Sequence, residues 1–168
     1  MDGLVTYFMS EHFSAPEMLI GQYGALRGVG AVAGAIGGGF MIDRLGRRRG
    51  AYGAVLLISL GAALIGLAPN TTILLALGVL WGIAWAFQET IFFALAMDLA
   101  DTRIAASMFA IMMAISNFGT AIGEGVATGL TDNLPFSLVF WLLAGLNLVT
   151  LPILWGVFRA APEMGGER

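Results

Sequence analysis

Five apolar runs, at residues 21–42, 51–68, 73–97, 104–130 and 137–158, follow one another with only short polar breaks between them. A helix that crosses a hydrocarbon core of about 30 Å needs roughly 20 residues, and each run meets that length. Few folds are open to such a chain. Inside lipid every backbone amide must find a partner within the protein, so only helical bundles and closed barrels qualify. The runs are too long for the alternating strands of a barrel, which have roughly 10 residues each, and they are built largely from Ala, Leu and Gly. A helical bundle remains, with no room left for a second, soluble domain.

Composition supports the same class. Hydrophobic residues make up 58% of the 168, another 24 are Gly, and only 11% are charged, which is too little polar surface to cover a water-soluble globule. There is no Cys and a single His, which excludes a disulfide framework, a thiolate nucleophile and a multi-histidine metal site. No metal or cofactor is expected. Lys is absent, and the Arg residues sort by membrane side instead of forming a basic face, so nucleic acid is not an expected partner; the lipid bilayer is.

The breaks between runs carry helix punctuation. Ser14-Ala15-Pro16-Glu17 reads as a capping box, which starts the first spanning helix near Ala15, outside the membrane. Asn70, Thr71 and Thr72 can cap the third span, Asp101 or Thr102 the fourth, and Asn133 or Ser137 the fifth. Gly46 and Gly50 stand where the first must stop. Residues 1–13 lack the positive start and the long apolar core of a signal peptide. They read as the tail of a truncated helix.

Arg44, Arg47, Arg48, Arg49, Arg103, Arg159 and Arg168 fall on one side of this five-span arrangement, and the opposite loops contain none. Under the positive-inside rule that side is cytoplasmic, together with the C-terminus.

At the end of the first span stands Gly38-Gly39-Phe40-Met41-Ile42-Asp43-Arg44-Leu45-Gly46-Arg47-Arg48-Arg49. Gly39 permits close helix contact, Asp43 offers a carboxylate to a neighbouring helix N-terminus, and the Arg side chains sit at the headgroups. At the C-terminal end of its own helix Asp43 is unfavourably placed, so it calls for a partner elsewhere. The stretch resembles the loop signature of the major facilitator superfamily, whose positions are filled by Gly39, Asp43, Arg44, Gly46, Arg47 and Arg48. The resemblance implies that these six residues form a conformational latch. In that family the signature recurs in both halves of a twelve-helix protein. Here four spans and a polar tail follow it, a count that fits either half; the third span lacks the Arg that the family's fourth helix often carries, which favours the second half, from the end of the seventh helix through the twelfth. Residues 97–119 are also similar to the tenth-to-eleventh helix region of the folate and pterin, muropeptide and acetyl-CoA transporter branches.

Three ionisable residues lie inside the runs: Arg27, Glu89 and Glu124. Charge in a hydrocarbon core is costly and faces a cavity or a partner. Glu89 follows Gln88 and stands one turn from Trp85. It reads either as a carboxyl that binds a proton or a polar solute group, or as a hydrogen-bonded strut between helices. Asn117, Thr120, Glu124 and Thr128 share one helical face. At 1.5 Å per residue Arg27 lies ~24 Å from Asp43 and Glu124 ~30 Å from Ile104, so both occupy the outer half of the membrane. They could pair with each other or line a solute path.

Gly30, Gly34 and Gly38 are spaced by four, as are Gly119 and Gly123, and Gly125 and Gly129. Such ridges let helices approach closely or slide. Trp81, Trp85, Phe92 and Phe93 read as packing or interfacial anchors before a ligand box, and His12 as an exposed residue without a partner.

The expected fold is an all-α membrane protein, a bundle of five transmembrane helices plus a truncated N-terminal one, half of a twelve-helix transporter. The expected function is secondary transport of a small-molecule substrate by alternating access, in the inner (plasma) membrane, together with a missing N-terminal half or a second protomer. Glu89, Gln88, Trp85, Arg27, Asn117, Thr120 and Glu124 are the expected substrate or proton pathway. A small membrane scaffold or assembly protein is the alternative. An enzyme is disfavoured, because Glu89 and Glu124 lie at different depths on different helices.

Overall fold

The computed structural model describes residues 1–99 and 103–160, and these are helical with no strand among them. Six helices follow in order: α1 (Asp2–Phe13), α2 (Glu17–Ile65), α3 (Thr71–Leu99), α4 (Ala105–Leu130), α5 (Phe136–Leu148) and α6 (Thr150–Ala160). Four described stretches are long and apolar enough to cross a membrane: Glu17–Ile65, Thr71–Met97, Ala105–Leu130 and Phe136–Ala160.

At 49 residues, α2 would far outreach a bilayer if it ran straight. It is broken at Gly46, where φ is 80° and ψ 163°, a conformation open essentially to Gly alone. Contacts with α3 show what the break does. Before it, Gly30 lies against Val79, Gly34 against Ile83, and Gly38 against Phe87 and Thr90. After it the order reverses, with Gly50 against Ile91, Gly53 near Phe87 and Gly61 against Trp81. The first limb of α2, 17–45, therefore runs parallel to α3 and the second, 47–65, antiparallel. The limbs form a hairpin with Gly46 at its tip, closed by Met41 against Gly53 and Ile42 beside Gly50.

The same reading orders the other helices. Trp141 Nε1 donates to the Ala63 carbonyl at 3.3 Å, and Asn147 Nδ2 donates to the Val55 carbonyl at 3.0 Å and to Ser59 Oγ at 2.9 Å. These contacts set α5 antiparallel to the second limb. Tyr52 and Phe158, with ring centroids 6.3 Å apart, extend the pairing into α6. Pro152 cannot donate to the Leu148 carbonyl and its ring crowds that turn, which accounts for the interruption between α5 and α6. α4 runs back along α3, with Phe93 and Phe109 5.6 Å apart near one end and Glu124 meeting α1 near the other. Arg44, Arg47, Arg48 and Arg49 at the hairpin tip thus share one end of the bundle with Arg103 and Arg159. Arg168 lies outside the described residues.

Between helices in lipid the association comes from packing and hydrogen bonds, since the surroundings are as apolar as the side chains. The α2–α3 pair shows how closely these helices pack. A Cβ on Gly30, Gly34 or Gly82 would collide with the carbonyl oxygens of Val79, Ile83 and Arg27 respectively, and one on Gly78 would come within 2.8 Å of the Tyr23 ring. α1 is wedged into the bundle, burying Leu4, Val5, Phe8 and Met9. The Phe8 ring meets those of Phe13 and Phe140 edge-on at 5.0 and 5.5 Å and that of Phe136 at a tilt at 5.0 Å. On α4, Ile111, Ile115, Phe118, Ile122 and Val126 form an exposed stripe, a face suited to acyl chains.

Several helix ends differ from the sequence expectation. Ser14 terminates α1 in the left-handed conformation, φ 49°, and α2 begins at Glu17 behind Pro16 with no side-chain cap; the tight turn between two packed helices takes Ser14 out of capping range. α5 likewise starts behind Pro135, so neither Asn133 nor Ser137 caps it. Asn70 does cap α3, with the Ile73 N–H donating to its Oδ1 at 2.9 Å. Asp101 and Thr102 lie outside the described residues.

Candidate functional site

A groove of ≈ 380 Å³ opens between the first limb of α2 and α3. It exists because small residues face a larger set: Ala31, Val32 and Ala35 line one wall, and Trp85, Glu89, Thr90 and Phe93 the other. Trp85 remains 40% exposed in it. Among the described residues the Glu89 carboxyl has no hydrogen-bond or ion-pair partner. Within the described residues it does not tie two helices together.

Arg27 stands one turn before Ala31 and lies beside the groove, its guanidinium 4.7 Å from the centre of the Trp85 ring. Such stacking favours a cation over the electron-rich ring face. Arg27 Nη2 meets Asp2 Oδ2 at 2.6 Å, and the other oxygen of Asp2 accepts from Trp81 Nε1 at 3.0 Å. Tyr23 Oη and Arg27 Nε are buried beside this cluster without hydrogen-bond partners.

Arg27 and Glu124 do not pair. The structure separates them with α1, whose first turn answers both charges: Asp2 takes Arg27, while Glu124 Oε1 accepts from the Met1 amino group and, at 3.3 Å, from the Gly3 N–H. Thr120 and Glu124 line a second cavity, of ≈ 210 Å³, with Met1, Gly123, Ala127 and Leu143.

The proposed pathway residues thus divide. Trp85 and Glu89 line one groove with Arg27 against the Trp85 ring beside it, and Thr120 and Glu124 line another cavity. Gln88 and Asn117 are exposed and line neither. At the hairpin tip Asp43 is exposed and has no partner among the described residues, Arg44 stacks on Phe40 at 4.3 Å, Gly39 is open to its surroundings, and Arg47 and Arg48 are half-buried and engaged. No group of three or more His, Asp or Glu among the described residues could hold a metal ion.

Sequence reasoning does not reach Asp2, Gly78 or Gly82, and it reads Trp81 as an anchor without its bond to Asp2. Gly78 and Gly82 repeat the spacing of four seen in Gly30 and Gly34, a signal sufficient to mark them. Asp2 carries none, because a helix of 12 residues does not read as a span.

The family model of the Major Facilitator Superfamily matches residues 3–168. Neither a curated protein nor a solved structure matches the chain.

Proposed function

Because the chain belongs to the Major Facilitator Superfamily, whose members are transporters and not enzymes, we propose that it is the C-terminal half of a secondary transporter that moves a small solute by alternating access. The chain is a multi-pass membrane protein. On this reading the two limbs of α2, then α3, α4 and the α5–α6 pair, are five spans, and α1 is the end of a sixth. The Arg-rich end lies in the cytoplasm of a cell whose inner (plasma) membrane holds the protein, by the positive-inside rule. We further propose, from residues 97–119, a kinship with the folate and pterin, muropeptide and acetyl-CoA transporter branches.

The family match over almost the whole chain carries this reading. The groove supports it: a carboxyl without a partner, in an apolar setting beside an aromatic ring, is a costly arrangement unless a proton or solute uses it. Gly39, Asp43, Arg44, Gly46, Arg47 and Arg48 serve as the latch, with the exposed Asp43 reaching a partner in the other half. Asp43→Asn is then expected to slow transport in the full-length protein while membrane insertion stays at the parental level, as read by flux against the amount of inserted protein. The overall test is uptake by the full-length protein in liposomes under an imposed pH gradient. Accumulation above empty liposomes supports the transporter. A full-length product with no further spans and no flux for any solute in a broad panel would support the scaffold instead.

A further inference from the structure

We propose that the groove beside Trp85 binds a small organic carboxylate, its acid group on Arg27 and its apolar body between the α2 and α3 walls, with Asp2 holding the place of that acid in the empty protein. The inference rests on the transporter reading and names the solute class for its site.

Arg27 supports this first through its unused donors. A guanidinium offers a planar fork that matches the two oxygens of a carboxylate. Asp2 engages only Nη2, at 2.6 Å, and Nε beside it has no acceptor although it is buried. A carboxylate that took Nη2 and Nε together would satisfy both. Asp2 is a replaceable occupant because its side chain is 43% exposed and its second oxygen already has a donor in Trp81. After displacement it keeps that bond and gains water.

The groove supplies the second argument. Beyond Arg27 the walls are Ala31, Val32 and Ala35 on one side and Trp85 and Phe93 on the other, surfaces that accept a flat apolar body and offer little to a strongly hydrated one. Its volume of ≈ 380 Å³ suits a single-ring solute. Other charged groups are few. Glu89 stands one turn beyond Trp85, and as the carboxyl that takes up a proton it admits an anion when neutral. Glu124 does not line the groove. Inorganic phosphate lacks the apolar body, and benzamide lacks the charge.

Thermal unfolding of the full-length protein in detergent, with benzoate as the probe and with benzamide and inorganic phosphate as controls, tests the site without measuring transport. Benzoate is expected to raise the midpoint saturably, and the two controls are expected to leave it unchanged. Asp2→Asn removes the competitor and is expected to lower the half-saturating benzoate concentration at least fivefold. Arg27→Lys keeps the charge and loses the fork, and is expected to raise that concentration at least tenfold. Arg27→Gln should abolish the shift, and if it fails to fold the lysine variant decides. No saturable benzoate shift, an equal shift with benzamide, or weaker binding in Asp2→Asn would overturn the proposal. Flux without benzoate binding would remove this site and leave the transporter reading standing, whereas benzoate binding without flux of any solute would do the reverse.

Discussion

At Gly82 a methyl group would have to share space with the Arg27 carbonyl oxygen, whereas at Gly28, on the same helix as Arg27, it would meet nothing within 4 Å. The two positions separate packing from propensity. Gly82→Ala is expected to destabilise the protein by about 1–3 kcal/mol, the usual cost of forcing an extra methyl into a packed interface. Gly28→Ala is expected to be neutral or to stabilise by up to about 1 kcal/mol, since Ala favours the helix. Unfolding by SDS in mixed micelles compares them, and an equal loss at both positions would contradict the close α2–α3 contact. The ridge of Gly30, Gly34 and Gly38 was readable from spacing alone. Its partner was not, because periodicity shows which face of a helix is small and says nothing about which helix lies against it.

Among the elements, the hairpin in α2 depends most on one residue. Gly46 at φ 80° and ψ 163° adopts a conformation that costs other residues of order 1–3 kcal/mol. Gly46→Ala is therefore expected to lower stability by about that amount in the same unfolding assay, and a variant as stable as the parent would mean that the reversal does not need this backbone conformation. Hydropathy made the apolar stretches legible, because length and polarity are local properties of the chain. α1 was not legible in this way. Depth arithmetic placed Arg27 and Glu124 in the same half of the membrane but carried no information on azimuth, and α1 occupies the space between them. Asp2 thereby became the partner of Arg27, and the Gly3 N–H a donor to Glu124. The helix starts at Glu17 and Phe136 fall within two residues of the expected ones, but their caps escaped prediction, because Pro16 and Pro135 preset the backbone where a hydroxyl or amide cap had been expected.

For the whole molecule, the alternation of helix directions places Arg44, Arg47, Arg48, Arg49, Arg103 and Arg159 at one end, and the positive-inside rule then orients the bundle. A reporter active only outside the cytoplasm, fused after Arg159, is expected to be silent; activity there would invert the topology. The central proposal is that Glu89, which has no partner among the described residues and lines the groove between α2 and α3, couples the movement of solute to the movement of protons. Glu89→Gln keeps the size and hydrogen-bonding shape of the side chain and removes its titration. The most direct measurement is solute uptake by the full-length variant in liposomes, with and without a pH gradient. Coupling at Glu89 predicts that exchange of solute across the membrane persists while gradient-driven accumulation falls to the level of empty liposomes. Accumulation by Glu89→Gln at the parental rate would contradict it.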